Sequence, residues 1–204
     1  MIDLYAAGTA NGMRARIALE ECGLAYAFHP VDLAKGEQKA SSFLSMNPNG
    51  QIPVIVDPDG PGGNPVTISQ SVAVLLYCAE KSGKFLPKDP AMRPAFWQAL
   101  MSAASDMSGM VTAIFTLSRS KEQHSSAIEL FRQMWKSYAN VWDGRLGKQR
   151  YAAGGELTVA DFALYGVIAR MKMVQPALLE GYSNIARWAD EMGARPAIQR
   201  AMKF

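Results

Sequence analysis

The chain has 204 residues, of which 49% are hydrophobic, enough to form the core of one domain or of two small ones. Its net charge of +3 comes from scattered Lys and Arg side chains without a basic stripe, which argues against a nucleic-acid-binding protein. With only two histidines, a histidine-based metal site is not expected, and no stretch reaches the roughly 18 uncharged apolar residues that a membrane span needs.

The N-terminus leads directly into a strand pattern and lacks the charged and apolar regions of a signal peptide. The two cysteines, Cys22 and Cys78, lie far apart and do not form a CxxC motif. We therefore expect a soluble cytoplasmic protein without a membrane or nucleic-acid partner.

The first thirty residues predict a βαβ unit. Residues 2–6 alternate in polarity, as a strand does, and residues 26–28 predict a second strand. Asn11 is placed to cap the helix between them and Gly23 to end it. A helix between two strands favours parallel pairing with a right-handed crossover. The buried stripe of that helix has members at i, i+3, i+4 and i+7, which makes Cys22 a core thiol: Ala15, Ala18, Leu19 and Cys22.

A polar segment, 32–45, follows, and a β-hairpin and a helix come after it. Two short apolar runs, 54–56 and 66–68, flank a loop rich in Gly and Pro, which predicts the hairpin. The helix is expected to begin at a cap formed by Ser69 or a neighbour and to run to about Lys81. Its buried stripe consists of Val72, Leu75, Leu76 and Ala79, and Cys78, one position off that stripe, is interpreted as packing.

Pro53 stands at the first position of the third strand. A residue without an N–H is tolerated there only where the backbone turns away from the sheet ladder. Two interpretations are open: an ordinary strand start, or a cis Ile52–Pro53 bond, which costs about 0.5–1 kcal/mol. The cis bond would direct the N–H and C=O of Ile52 outward, where an extended ligand could pair with them as a strand does.

The second half of the chain predicts helices only. The proline-rich stretch 83–94 marks a boundary, and apolar stripes predict one long helix over 96–115 and another over 127–141. Thr158 and Asp161 form a capping box at the start of a further helix, and Pro196 begins a last short one. We expect a first domain over 1–83, a linker over 84–93 and an all-α domain over 94–204.

The predicted order of strands and helices resembles that of a cytosolic glutathione transferase over essentially the whole chain. The first residues, 5–12, and the run 35–38 are most similar to the bacterial nu class, a theta-like group associated with glutathione-dependent disulfide reduction. The resemblance implies an α/β thioredoxin-like N-terminal domain with a mixed four-stranded sheet, then an all-α helical bundle. It also implies glutathione as co-substrate, no metal, and a homodimer. The landmarks occur in the expected order: Asn47-Pro48, Ile52-Pro53, Gln70-Ser71, Leu157 to Asp161, and Arg195-Pro196-Ala197.

The resemblance also implies a set of glutathione-binding residues. The N-terminus of the helix near Gln70 is suited to an anion, because its N–H groups are free and the helix dipole is positive there. Gln70 and Ser71 are expected to hold the γ-glutamyl end. The remaining contacts are assigned to Ile52 and Pro53 for the cysteinyl part, and to Gln38 and Gln51 for the glycine carboxylate. The alternatives are a plain helix start at Gln70–Ser71 and a solvated loop residue at Gln38.

The chemistry requires a thiolate, and three donors near the first strand–helix turn are candidates. A thiol with a pKa near 8.5 is only a few per cent ionised at pH 7, so full ionisation requires about 2 kcal/mol of stabilisation. One or two charge-assisted hydrogen bonds, at roughly 1.5–3 kcal/mol each, are sufficient. We expect Thr9 and Asn11 to supply them, with Tyr5 in reserve; the alternative for Asn11 is a helix cap only, and the two roles are compatible.

The second substrate is expected between the Thr9 turn and the first long helix of the second domain. Candidates for that wall are Met107, Met110, Val111 and Phe115, although a methionine stripe at helical spacing is often packing. No cysteine lies in the turn directly after strand one, so redox chemistry would use the sulfur of glutathione.

Two classes of function fit these residues. The first is a glutathione-dependent enzyme that conjugates electrophiles in detoxification or reduces disulfides. The alternative is a non-catalytic glutathione-binding or scaffold protein, because a fold does not fix a function.

Overall fold

A computed structural model describes residues 1–204, and they divide into two units: Met1–Leu86 with Ala194–Phe204, and Pro87–Gly193. The first unit contains a four-stranded sheet in the order β2-β1-β3-β4. β1 pairs in parallel with β2 and antiparallel with β3, and β3 pairs antiparallel with β4. The predicted thioredoxin-like fold is confirmed. The elements are β1 (Ile2–Ala6), α1 (Ala10–Cys22), β2 (Tyr26–Pro30), α2 (Ser41–Leu44), β3 (Val54–Asp57), β4 (Val66–Ser69) and α3 (Ser71–Ser82).

One of the two predicted helix caps of the first unit is wrong. Thr9, not Asn11, caps α1: its backbone is extended, and its hydroxyl accepts a hydrogen bond from the N–H of Gly12 at 3.1 Å. The cap position of α3 is Gln70, the neighbour of Ser69, as the prediction allowed, but its side chain makes no capping bond. α1 ends at Gly23, as predicted, and α3 ends at Gly83. Both glycines adopt the left-handed conformation that ends a helix.

A short helix that the sequence did not predict lies in the polar segment. α2 directs Phe43 into a small apolar cluster with Val31 and Val54, and Tyr5 and Ile52 pack against this cluster. The segment before α2 contains a 3₁₀ turn, Glu37–Lys39. A single buried aromatic residue therefore anchors a stretch that is otherwise polar.

The end of the chain groups with the first unit, whereas the sequence assigned it to a second domain over 94–204. α9 (Pro196–Ala201) packs against α1. Arg195 makes a bidentate ion pair with Glu21, at 2.6 and 2.7 Å, and the Glu21 side chain is only 5% exposed. The boundary between the two units, between Leu86 and Pro87, lies within the predicted linker 84–93.

The second unit is all helical, as predicted. The single long helix predicted over 96–115 is interrupted by a π-helical segment, Ser102–Met107, between α4 and α5. The full run Pro90–Ser118 is long and apolar enough to meet the length and hydropathy criteria for a membrane span, criteria that the core helices of soluble proteins also meet. Within the second unit, α4 packs on α7, and α5 packs on α6. The helices are α4 (Arg93–Met101), α5 (Ser108–Ser118), α6 (Ser125–Leu146), α7 (Val159–Val174) and α8 (Ser183–Gly193).

The predicted capping box at the start of α7 is present and deeply buried. Asp161 accepts hydrogen bonds from the N–H of Thr158 at 3.0 Å, the N–H of Ala152 at 2.7 Å and the indole of Trp188 at 3.1 Å. Burial raises the pKa of Asp161 to about 6. One carboxylate thus fixes the start of α7, the preceding loop and α8.

Candidate functional site

Three chain segments meet at one edge of the sheet in the first unit. β1 ends at Ala6, and the turn after it leads through Thr9 into α1. Val54, the first residue of β3, pairs with Tyr5 of β1 on one side and with Ser69 of β4 on the other. The register therefore brings the Thr9 turn, the Ile52–Pro53 bond and the start of α3 together.

The Thr9 hydroxyl is oriented by its capping bond. Its oxygen accepts the Gly12 N–H, and a hydroxyl that accepts a hydrogen bond still has its own proton to donate. Gly12 must lack a side chain, because a Cβ there would lie 2.0 Å from the carbonyl oxygen of Ala7. The tight turn therefore holds one hydroxyl donor at the N-terminus of α1.

The Asn11 side chain has a defined orientation. Its Oδ1 accepts hydrogen bonds from the Ser71 hydroxyl at 3.1 Å and from Nη1 of Arg14 at 2.9 Å. Because the guanidinium can only donate, the Asn11 amide oxygen must face Arg14, and its NH₂ group points away. Asn11 is exposed, so that NH₂ group is available to an incoming acceptor.

Arg14 is the site residue that the sequence interpretation missed. Its side chain is buried, and Nη1 lies 3.5 Å from the Ser71 hydroxyl. Burial lowers the pKa of Arg14 to about 10, which leaves it cationic at neutral pH. The signal was available, because position 14 precedes Ala18 by one helical turn and so lies on the buried face of α1.

The start of α3 combines a helix N-terminus with this buried cation. Ser71 is the first residue of the helix and is buried. Gln70 before it is exposed and has φ 75°, a conformation that residues other than Gly rarely adopt. Free helix N–H groups, the dipole and Arg14 together make this point suited to a carboxylate.

The Ile52–Pro53 bond is cis, which confirms the sequence hypothesis. Pro53 is buried, and the backbone N–H and C=O of Ile52 take no part in the β3 ladder or in any other backbone hydrogen bond. The preceding loop is held by Asn47, whose amide donates to the carbonyl oxygen of Gln51 at 2.6 Å. An extended ligand could therefore pair with Ile52.

The backbone of Gln38 lies close to Gly50, the residue before Gln51. A Cβ at Gly50, which has φ 59°, would lie 2.9 Å from the carbonyl oxygen of Gln38 and 2.7 Å from Nζ of Lys39. The Gln38 Oε1 atom is buried without a hydrogen-bond partner, whereas the Gln51 side chain is exposed. Gln38 is thus half-buried, unlike the freely solvated loop residue of the alternative interpretation.

Tyr5 has a different environment from Thr9 and Asn11. Its ring stacks on His29, with centroids 4.6 Å apart, and packs against the cluster around Phe43. His29 in turn lies 2.7 Å from a carboxylate oxygen of Asp3. These contacts give the Tyr5 ring a packing function in the sheet.

Both cysteines are buried on helix faces. Burial raises the pKa of Cys22 and that of Cys78, which keeps both thiols protonated. No group of three or more His, Cys, Asp or Glu side chains is arranged to hold a metal ion. The first unit thus offers hydrogen-bond donors and a buried cation, but no reactive thiol of its own.

The four candidates for the second-substrate wall lie in the second unit. Val111 and Phe115 line a cavity of about 220 Å³ between α5 and the C-terminal part of α7. Met107 and Met110 are buried and do not line that cavity.

Comparisons with known proteins match both units of the chain. The family model described as glutathione S-transferase, N-terminal domain, matches residues 10–81, and the C-terminal domain model matches residues 125–191. The disulfide-bond oxidoreductase YfcG of Escherichia coli is 33% identical, over 99% of this chain and 94% of that protein. The disulfide-bond oxidoreductase YghU of the same organism is 32% identical, over 98% of this chain and 73% of that protein.

Two crystal structures are similar over nearly the whole chain. A glutathione transferase family member from Pseudomonas fluorescens, with two glutathione bound, matches with a TM-score of 0.93 and 30% identity, over 99% of this chain and 92% of that one. A glutathione transferase from Pseudomonas putida, with one glutathione disulfide bound per subunit, matches with a TM-score of 0.91 and 30% identity, over 100% and 91%.

Proposed function

Because this chain belongs to the glutathione S-transferase family, we propose that it binds glutathione in its first unit and uses the glutathione thiolate to reduce disulfides. The proposed contacts to glutathione come from the three segments that meet at the edge of the sheet. The γ-glutamyl carboxylate lies at the start of α3, against Ser71 and Gln70, with the cation of Arg14 behind it. The cysteinyl backbone pairs with Ile52.

The glycine carboxylate of glutathione lies near Gln38 and Gln51. Both side chains are neutral amides, so they can donate hydrogen bonds without contributing an ion pair. The unpartnered Oε1 of Gln38 supports a ligand at this position, since a buried amide without a partner costs about 1–3 kcal/mol. A rotated amide would direct its NH₂ to the carboxylate.

Thr9 and Asn11 stabilise the thiolate. Each has a donor left over after its bonds within the chain, the hydroxyl proton of Thr9 and the NH₂ group of Asn11. Two charge-assisted hydrogen bonds exceed the roughly 2 kcal/mol needed to ionise the thiol at pH 7.

The reaction uses two molecules of glutathione for each disulfide. The bound thiolate attacks one sulfur of the disulfide, forms a mixed disulfide, and expels the other sulfur as a thiolate that takes up a proton. A second glutathione attacks the mixed disulfide, which yields glutathione disulfide and the second free thiol. Two electrons pass from two glutathione thiols to the substrate.

One observation above all supports this chemistry: donors surround the glutathione position while both cysteines of the chain are buried, with raised pKa values. The protein offers no accessible, ionised thiol with which to form a mixed disulfide, which favours glutathione as the source of the nucleophile. The relatives named disulfide-bond oxidoreductases favour disulfide reduction over conjugation.

The test combines retention on immobilised glutathione with two activity assays. One assay follows reduction of a small disulfide, coupled to glutathione reductase, and the other follows conjugation of an aryl halide. We expect retention and the faster turnover with the disulfide. Turnover with the aryl halide alone would make the protein a conjugating transferase, and retention without any turnover would make it a binding or scaffold protein.

A homodimer and a cytoplasmic location complete the proposal. Several large apolar side chains of α4 and α6 are exposed, namely Trp97, Met101, Leu130, Met134 and Val141, and a partner would remove them from water. Disulfide reduction by glutathione requires the reduced glutathione pool of the cytoplasm. Light scattering that gives the mass of a single chain at micromolar concentration would contradict the dimer.

A further inference from the structure

Arg14 occupies a buried position on α1 from which one nitrogen atom reaches two side chains of the site. The residue is only 1% exposed. Its Nη1 donates a hydrogen bond to Oδ1 of Asn11 at 2.9 Å and lies 3.5 Å from the hydroxyl oxygen of Ser71. Because Nη1 carries two N–H groups, it can donate to both oxygens. A single guanidinium nitrogen therefore contacts the residue proposed for the thiol and the residue proposed for the γ-glutamyl carboxylate.

The hydroxyl of Ser71 has a single proton, and in the structure that proton goes to Asn11. The hydroxyl donates to Oδ1 of Asn11 at 3.1 Å. An ionised carboxylate only accepts hydrogen bonds, so the hydroxyl can bind the γ-glutamyl carboxylate only by donating the same proton to it. Asn11 then loses its bond from Ser71, whereas the bond from Arg14 to Asn11 remains in place.

The orientation of the Asn11 amide decides the effect of this side chain on a nearby thiolate. With its oxygen toward Arg14, the amide directs its NH₂ group away from the guanidinium, where the group can donate to sulfur. Rotation of the amide by half a turn would set NH₂ against a guanidinium that also only donates. It would also turn the amide oxygen toward the thiolate, which raises the pKa of a thiol because the negative end of a dipole then faces a negative charge.

From these contacts we infer that Arg14 is a positioning residue, which holds the Asn11 amide with its NH₂ group toward the glutathione sulfur while Ser71 binds the γ-glutamyl carboxylate. The inference rests on the proposed function, because it concerns the thiolate that Asn11 stabilises there. Arg14 acts on the sulfur through Asn11 and not by its charge alone. It is cationic throughout the neutral range, since its pKa is still about 10 after burial has lowered it.

A double-mutant cycle tests whether Arg14 acts through Asn11. Arg14→Met and Asn11→Ala should each raise the pKa of the bound glutathione thiol by about one unit, the equivalent of one charge-assisted hydrogen bond. The double variant should show the same rise as either single variant, because both substitutions remove the same donor. Ultraviolet absorbance of the bound thiolate, titrated against pH, gives these values. Additive shifts, about two units in the double variant, would overturn the inference, since Arg14 would then act by its charge alone.

Ser71→Ala separates the positioning of Asn11 from the binding of glutathione. The variant loses a donor to the γ-glutamyl carboxylate and should raise the Kd for glutathione about tenfold. The thiol pKa should change by less than about 0.3 unit, because Arg14 still holds Asn11. A rise in the thiol pKa as large as that in Arg14→Met would overturn the inference, since Ser71 would then position the amide.

Arg16 provides a matched control on the same helix. Its guanidinium donates to the hydroxyl of Tyr26 at 2.9 Å and to the carbonyl oxygen of Lys203, away from Asn11. Arg16→Met removes the same charge two residues farther along α1, so the thiol pKa should change by less than about 0.3 unit. Equal shifts in Arg14→Met and Arg16→Met would overturn the inference, because net charge alone would then explain the effect.

A measurement without glutathione separates the inference from the proposed function. Nuclear magnetic resonance detects the NH₂ group of Asn11, assigned as the pair of side-chain signals that Asn11→Asp lacks. Arg14→Met should shift these signals, and Arg16→Met should leave them in place. If no disulfide is reduced but the signals and the thiol pKa follow these expectations, the positioning stands and the proposed reaction fails. If disulfides are reduced and Arg14→Met leaves both the signals and the thiol pKa as in the wild type, the reaction stands and the inference is wrong.

Discussion

The amide oxygen of Asn11 accepts a hydrogen bond from the hydroxyl of Ser71 at 3.1 Å and so joins the first turns of α1 and α3. The same oxygen accepts from Arg14, whose buried guanidinium lies behind both residues. The residue expected at the thiol is thereby coupled to the residue expected at the γ-glutamyl carboxylate. A substitution at Asn11 should affect both the thiol and the γ-glutamyl end of bound glutathione.

Asn11→Ala should slow disulfide reduction about tenfold and raise KM for glutathione, because it removes one donor to sulfur and the acceptor of Ser71. Asn11→Asp separates these effects. The carboxylate still accepts from Ser71 and Arg14 but cannot donate to the thiolate, and its negative charge should raise the thiol pKa. Ultraviolet absorbance of the bound thiolate, titrated against pH, measures this pKa. An unchanged pKa in Asn11→Asp would exclude Asn11 from contact with sulfur.

Thr9→Ala should slow turnover and also destabilise the first unit by about 1 kcal/mol, because it removes both a donor and the cap of α1. Thr9→Ser keeps the hydroxyl and should retain most of both properties. Chemical unfolding gives the stability, and steady-state kinetics give the turnover. If Thr9→Ala and Asn11→Ala both turn over at wild-type rates, the catalytic role passes to Tyr5, and Tyr5→Phe should then be the slow variant.

Gln70→Gly should stabilise the fold and weaken glutathione binding. Gln70 has φ 75° and ψ 115°, and an L-residue held at positive φ costs about 1–2 kcal/mol that Gly does not. The loss of the amide removes a contact to the γ-glutamyl end. Gln70→Ala is the control, since it loses the same contact but keeps the strain. Calorimetry with glutathione and unfolding without it should show equal affinity loss in both variants and added stability only in Gln70→Gly.

Much of the fold and of this site could be predicted because the signals are local. The turn residues at 47–50, Pro53 in front of an apolar run, and Thr158 with Asp161 each constrain the backbone within a few residues. The cis bond and the capping box were predicted on these grounds and are confirmed. The order of strands and helices followed from periodicity alone.

The features that were missed depend on contacts distant in sequence. The helix pattern places Arg14 on the buried face of α1, but it gives no sign of its partner Ser71, which is 57 positions away. The end of the chain joins the first unit through Arg195 and Glu21, which are 174 positions apart. Asn and Thr both favour the cap position of a helix, and only the backbone geometry assigns that position to Thr9 rather than Asn11.

The Arg195–Glu21 ion pair should contribute measurably to the stability of the first unit. Glu21→Gln leaves a bidentate guanidinium without its carboxylate and should cost about 2 kcal/mol, less than a fully buried pair because Arg195 is 32% exposed. The control is Glu20→Gln, which breaks the pair with Arg200. Since Arg200 is 56% exposed, that variant should lose under about 1 kcal/mol. Equal losses measured by urea unfolding would contradict a special role for Arg195.

Asp161 should give the second unit a stability that falls as the pH rises through the mildly acidic range. Burial raises its pKa from 3.8 to about 6, so between these values the folded state binds more protons than the unfolded state. The free energy of unfolding therefore decreases from about pH 4 to about pH 6, by at most about 3 kcal/mol at 1.36 kcal/mol for each pH unit. Asp161→Asn cannot titrate and should lack this slope, although it is less stable overall because an amide oxygen replaces two acceptor oxygens. Urea unfolding of both proteins across that range checks the difference: the deficit of the variant should be larger near pH 4 than at pH 7. A deficit that grows toward pH 7 would mean that the hydrogen bonds from the three N–H donors lower the pKa of Asp161 by more than its burial raises it.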